Sequence, residues 1–149
     1  QFMPSTIKNY ALDYNNNSVI ELKKIEDSFA SAANYISKIG WNDDQPCFYK
    51  INLKENIPQQ YLNSSARKIK NKKKYSFFKK YIINADKLDL DDNISAAIVT
   101  PDSDIIPNSK NLAPAYIVFD NYELILKWNR SLRFALAVCT LKEKIENEI

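Results

Sequence analysis

The sequence predicts an α+β fold in which helices close the two ends and short strands fill the middle. Three observations predict it. In 27–39, Phe29, Ala32, Ala33, Ile36 and Ile39 recur at helical spacing and are placed on one face. In 131–148, Phe134, Val138, Leu141 and Ile145 form a second such stripe before a charged end. Between them, 47–53 alternates apolar and polar residues as a half-buried strand does, and 94–100 and 115–119 read as further strands.

The elements follow in order. Pro4 and the polar pair Ser5-Thr6 predict a turn into a short helix over 5–10. The 27–39 helix has Asp27 as a suitable N-cap and Gly40 where a left-handed C-cap is wanted. From Asn42 the pattern changes, which predicts a lobe boundary. Residues 58–67 have no decisive pattern, 75–83 predicts a short helix, and 101–107 is rich in turn residues. Residues 121–128 fit strand and helix equally. Three parts result: 1–42, a small α+β lobe over 43–120, and a closing segment with the C-terminal helix over 121–149.

Composition excludes several chemistries. The 149 residues, 45% of them hydrophobic, suffice for one ordinary domain or two small lobes. No apolar run reaches the roughly eighteen residues of a membrane span, and no charged-then-apolar start reads as a signal peptide. Histidine is absent, which removes histidine bases, Ser-His-Asp and Cys-His nucleophile systems and most zinc sites. Cys47 and Cys139 lack metal-ligand spacing; their pairing in an oxidising compartment stays open, because spacing says nothing of geometry. A net charge of +3 does not by itself imply a polyanionic partner. The excess of Lys over Arg and the single Gly point to an AT-rich genome rather than to a chemistry.

One loop carries a metal signature. Asp13, Asn15 and Asn17 set side-chain oxygens at alternate positions, Val19 offers a backbone carbonyl, and Glu21 and Asp27 follow. This is the layout of an EF-hand-type calcium loop, stretched by about three residues beyond the usual twelve. A flexible carboxylate-and-carbonyl cage suits calcium better than magnesium. Ser18 stands where such a loop has glycine, which predicts a strained turn and weakened affinity. The competing reading is an Asn-rich surface loop with a helix cap at Asp27.

With its flanks, the loop resembles the membrane-bound lytic murein transglycosylase B family. The residues are Gln1-Phe2-Met3-Pro4-Ser5, the loop about eight residues on, and a helix ending at Gly40-Trp41. The likeness returns over 122–144, an aromatic-Asn-x-Ser segment followed by Ala135-Leu136-Ala137-Val138. Between these blocks it is loose, resting on Pro46, the 94–101 strand and Pro114-Ala115-Tyr116. The resemblance implies a partial lysozyme-like helical core and cleavage of the β-1,4 bond between N-acetylmuramic acid and N-acetylglucosamine, leaving a 1,6-anhydro end. One glutamate would serve first as acid and then as base. That glutamate belongs to a Glu-Ser segment upstream of Gln-Phe-Met-Pro-Ser, and no residue here matches it, so no catalytic residue is assigned. The chain is expected to be the C-terminal half of a catalytic region, cut from a longer polypeptide or completed by a separately encoded N-terminal half.

The same resemblance implies that Gln1 and Tyr35 contact the peptidoglycan strand from the first block, and Trp128, Asn129 and Phe134 from the last, the two blocks lining one groove. Trp128 and Phe134 replace the family's usual tyrosines, which keeps an aromatic platform for sugar and loses phenolic hydrogen bonds. By spacing alone, these aromatics read as core. The full-length family is periplasmic or outer-membrane associated, while this chain shows no targeting signal of its own. Other readings are a non-catalytic peptidoglycan-binding remnant and an anion-binding module built on 68–80, where lysines interleave with Tyr75, Phe77 and Phe78. Against the anion-binding module, the lysines of 68–80 read as a solvated face with the aromatics turned inward, and nucleic acid is not favoured.

Overall fold

The computed structural model describes residues 2–102 and 112–148, so Gln1 and most of the turn-rich 101–107 stretch lie outside the described residues. The chain divides into two compact units, Gln1–Asn42 and Asp43–Ile149.

In the first unit, helix α1 (Pro4–Tyr10) has its proline in the first turn, where a missing N–H costs nothing. Helix α2 (Ile25–Lys38) starts two residues earlier than the sequence predicts, with Lys24 at the N-cap. Asp27 is therefore inside the first turn and does not cap it. Gly40 takes φ +109°, the left-handed conformation expected just past the helix end.

The apolar stripe of α2 is sheltered only in part, with Ile36 and Ile39 half-buried and Ala33 exposed. Phe29 is 70% exposed and Ile25 likewise 70%, whereas the buried positions are Asp27 and Ser31. The face toward α1 and its following loop carries polar groups: the Ser31 hydroxyl accepts a hydrogen bond from Leu12 N–H at 2.9 Å, and the Asn34 amide donates to the Tyr10 carbonyl at 2.9 Å. Among the described residues, this unit buries no large apolar side chain, and Met3 and Tyr14 join Ile25 and Phe29 at the surface.

The second unit is built on a sheet ordered β1-β5-β4-β2, with β3 also pairing β4. Its strands are β1 (Phe48–Ile51), β2 (Leu62–Asn63), β3 (Lys73–Lys74), β4 (Ser95–Val99) and β5 (Ala115–Val118). β4 reads Ala-Ala-Ile-Val and is buried on both faces, as a central strand requires. β5 pairs antiparallel with both β1 and β4, β3 pairs antiparallel with the start of β4, and β2 runs parallel along its end. One face of the sheet carries Ile51, Ile98, Ala115 and Ile117, packed with Tyr75, Phe78 and Ile82 from the short helix α3 (Tyr75–Phe78) and the 3-10 turn Lys79–Tyr81.

Two helices complete this unit, α4 (Asp120–Trp128) and α5 (Leu132–Glu148). Residues 121–128, ambiguous in the sequence, are helical because Asp120 and Glu123 sit in the first turn, where carboxylates favour the helix dipole. In α5 the predicted stripe is again the outer one: Phe134, Leu141 and Ile145 are exposed, and the buried face is Leu132, Ala135 and Cys139. Cys139 is joined to Cys47 in a disulfide with Cα atoms 6.0 Å apart, tying α5 to the residue that precedes β1.

The lysine-rich run is knitted into the fold. Lys72 pairs with Asp120 at 2.6 Å and Glu123 at 3.1 Å, Lys79 pairs with Asp92, and the Lys80 ammonium lies over the rings of Phe77 and Tyr81. Burial alone would lower the Lys72 ammonium, but the hydrogen bonds to Asp120 and Glu123 outweigh it and hold it above the usual lysine value. Tyr75 and Phe78 are fully buried, so these rings are core and not a stacking surface.

Candidate functional site

The second unit positions its candidate residues at the corner between α4 and α5. Helix α4 ends where Asn129 turns to extended backbone, and Asn129 N–H still donates to the Ile125 carbonyl at 3.0 Å. The chain then folds tightly, with Ser131 N–H on the Asn129 carbonyl at 2.8 Å and the Ser131 hydroxyl accepting from Phe134 N–H at 3.2 Å. Ser131 thereby caps α5, the role serine plays best. Trp128 is half-buried, Asn129 is exposed, and Phe134 is 38% exposed, so the corner presents an aromatic and an amide to solvent.

Buried contacts hold the corner. The Tyr122 hydroxyl donates to the Leu132 carbonyl at 2.8 Å across the two helices, and burial pushes this phenol well above its ordinary range. Asn121 is buried and its amide donates to the Gln45 carbonyl at 2.8 Å. Tyr122→Phe removes one buried hydrogen bond without opening a cavity. It is expected to lower stability by about 1 kcal/mol, read as a fall in the urea midpoint.

Beside the corner lies a cavity of about 370 Å³, lined by Ser64, Ser65, Pro101, Arg130, Ser131 and Arg133 among others. Asn63 immediately precedes the Ser64–Ala66 part of the lining. This buried side chain donates to the carbonyls of Ile98 at 3.0 Å and Lys70 at 3.1 Å, and accepts from Lys70 N–H at 2.8 Å, fixing the loop that carries Ser64 and Ser65. Arg133 is oriented by an ion pair with Asp102. The sequence reading missed these residues. The available signal was that a chain rich in lysine places two of its three arginines, Arg130 and Arg133, on either side of Ser131. A second cavity of about 440 Å³ is lined instead by acids, including Asp43, Asp44, Asp89, Asp91 and Glu143, and burial raises the Glu143 carboxyl.

In the first unit, the loop before α2 closes on its own amides. Asp27, 1% exposed, accepts hydrogen bonds from Tyr14 N–H at 2.9 Å and Glu21 N–H at 2.7 Å. Those bonds, Glu21 N–H first and Tyr14 N–H second, hold its carboxyl below the usual aspartate value. Asp13 accepts from Asn17 N–H at 3.2 Å and Ser18 N–H at 2.7 Å, Asn15 from Asn17 N–H at 3.1 Å, and Asn17 from Val19 N–H at 2.8 Å. The Glu21 carboxylate pairs with Lys24 at 2.5 Å. Ser18 has φ +70°, the left-handed turn that glycine would adopt without strain. The donors fit calcium by type, all being oxygen. Their arrangement is that of a loop folded onto its backbone, and among the described residues no three carboxylates gather as ligands.

Of the residues assigned to the glycan by resemblance, Trp128, Asn129 and Phe134 share the α4–α5 corner. Tyr35 sits on α2, half-buried, its ring edge-on to Tyr10 with centroids 5.0 Å apart. Gln1 lies outside the described residues.

Comparison with known proteins gives the architecture its place. The family described as the transglycosylase SLT domain matches residues 1–143. The chain belongs to this family. Among solved structures, the SLT domain chain is similar to SltB3 from Pseudomonas aeruginosa, crystallised in complex with NAG-NAM-pentapeptide, with a TM-score of 0.78 and 24% identity over 98% of this chain and 37% of that one. It is similar to the soluble lytic transglycosylase SltB1 from the same organism, with a TM-score of 0.73 and 18% identity over 99% of this chain and 46% of that one. It is also similar to the Escherichia coli lytic transglycosylase Slt35, crystallised in complex with calcium, with a TM-score of 0.70 and 22% identity over 99% and 43%. Comparison with the curated proteins finds no match. The SLT domain chain thus has the mixed helix-and-sheet, lysozyme-like fold of these enzymes and spans less than half the length of each.

Proposed function

We propose that the chain is the C-terminal part of a lytic transglycosylase catalytic region and binds the glycan strand of peptidoglycan. The observation that carries this reading is the α4–α5 corner, where Trp128, Asn129 and Phe134 present aromatic and amide groups beside a polar cavity. An exposed aromatic next to hydrogen-bonding side chains is what a sugar ring needs for stacking and hydroxyl recognition. Tyr35 is assigned to the same ligand from the first unit. The domain parts proposed are 1–42 for the helical core piece, 43–120 for the small lobe and 121–149 for the closing segment.

The acid that protonates the glycosidic oxygen is assigned to a companion stretch of polypeptide. The apolar surface of Met3, Ile25 and Phe29 supports this, since such a face is normally covered by packed structure. On its own the purified chain is expected to release no 1,6-anhydromuropeptides from murein sacculi, and activity is expected only on mixing with that companion. Chromatographic detection of anhydro ends from the chain alone would refute the assignment. Asn129→Ala is expected to weaken binding to sacculi without changing the urea midpoint, because Asn129 is exposed.

Calcium is proposed as a weak structural ligand of the loop formed by Asp13, Asn15, Asn17, Val19, Glu21 and Asp27. Binding would have to displace amide hydrogen bonds and the Glu21–Lys24 pair, which places affinity near the millimolar end of the range for such loops. A tenfold excess over Kd would then add about 1.4 kcal/mol. Thermal melts in millimolar calcium and in chelator that superimpose would remove calcium from the account. The disulfide supports residence in an oxidising compartment such as the periplasm.

A further inference from the structure

The geometry points to the cavity beside the α4–α5 corner as a carboxylate-binding subsite that takes the acidic stem peptide carried by the glycan, with Arg130 as its principal cation. This rests on the glycan reading above and extends it to the peptide. The cavity volume, about 370 Å³, suits one or two amino-acid residues and not a whole sugar chain. Its lining combines two guanidinium groups with the hydroxyls of Ser64, Ser65 and Ser131, and no acidic side chain lines it among the described residues.

The two arginines are not equivalent. Arg133 is already engaged by Asp102 through both its Nε and an Nη, which neutralises it and fixes its plane. Arg130 is exposed and has no carboxylate partner among the described residues, so its fork of donors is open to an incoming anion. A planar guanidinium matches a carboxylate with two parallel hydrogen bonds, a geometry lysine does not offer. In a chain whose cations are otherwise almost all lysine, this is where the arginines are spent.

Position suggests the ligand. Arg130 directly follows Asn129 and lines the cavity with Ser131, so the corner and the cavity are contiguous in the chain. In peptidoglycan the anionic substituent of the muramoyl sugar is its peptide, whose free carboxylates are the groups a guanidinium and hydroxyls would recognise. Asn63, next to Ser64 in the chain, is anchored to Lys70 and Ile98 by three hydrogen bonds, which helps to pre-position Ser64 and Ser65 in the lining.

The test is a nitrogen-15 NMR titration of the chain with muramoyl dipeptide, its methyl ester, inorganic phosphate and chitotetraose. Muramoyl dipeptide is expected to shift the Arg130 Nε–H and the Ser65 amide. The ester, which lacks the charge, is expected to bind about tenfold more weakly, as is the dipeptide to Arg130→Gln. Equal binding of acid and ester, an unchanged affinity in Arg130→Gln, or equal occupancy by phosphate would overturn the subsite. Chitotetraose separates the two readings: shifts at Trp128 and Asn129 with none at Arg130 from the dipeptide would leave the glycan corner standing and sink the peptide subsite. Dipeptide shifts at Arg130 with no response to chitotetraose would uphold the carboxylate cavity and overturn the glycan corner.

Discussion

Replacing both Cys47 and Cys139 by alanine is expected to lower the free energy of unfolding of the second unit by about 4.5 kcal/mol. The figure follows from the loop the bond closes: with the cysteines 92 positions apart in the chain, removing the cross-link returns that much chain entropy to the unfolded state. Domains of this size are stable by only about 5–15 kcal/mol, so the loss is a large part of the whole. The effect reaches the candidate site. Cys47 precedes β1, its carbonyl accepts from Phe119 N–H at 3.1 Å just before α4, and Cys139 is in the middle of α5. Both helices that form the corner are thus referred to one anchor. Urea unfolding followed by near-ultraviolet circular dichroism measures the change; a midpoint within error of the unsubstituted protein would show that the bond contributes nothing. Because the cysteines are only 3% and 0% exposed, a mild reductant is expected to leave the folded protein oxidised and to act once denaturant opens it.

Asp27→Asn is expected to release the loop between α1 and α2. The aspartate uses two oxygens to accept from Tyr14 N–H and Glu21 N–H, two amides that are otherwise far apart along the loop. Asparagine has one acceptor oxygen, so one amide would face an NH₂ group and lose its bond. Amide exchange at Tyr14 and Glu21 should rise by at least tenfold, the cost of one charge-assisted bond. The same contact predicts a pH dependence. Since these amides hold the Asp27 carboxyl below its unfolded value of 3.8, its contribution is complete above about pH 4 and is lost as the pH falls through the folded value. Exchange protection at Tyr14 that stays flat from pH 6 to pH 2 would contradict the latch, whatever the behaviour of the second unit.

Apart from α4, whose sequence fits strand and helix equally, the helices are legible in the sequence, but the faces they bury are not. Periodicity identifies which residues share a face; in α5 the stripe of Phe134, Leu141 and Ile145 is left outside, and in α2 the stripe is exposed at Phe29 and half-buried at Ile36 and Ile39. In α5 the buried side is Leu132, Ala135 and Cys139, the last two small residues that permit close approach and a cross-link. In α2 the contacts with the end of α1 and the loop that follows it are made by Asp27, Ser31 and Asn34, which polar patterning would assign to solvent. Strand β3 is two lysines, invisible to any apolar pattern, and exists because β4 offers it backbone partners. At the site, Trp128, Asn129 and Phe134 are reached through resemblance, since spacing reads the two aromatics as core. The cavity next to them joins Ser64 and Arg130, which lie too far apart in the chain for any local motif to link.

The outward aromatic and aliphatic side chains of the first unit have an evolutionary corollary. Met3, Ile25 and Phe29 gain almost no shelter when this polypeptide folds, so exchanging them for polar residues leaves its own folding equilibrium nearly untouched. Natural selection on these positions can act only through whatever surface comes to rest against them.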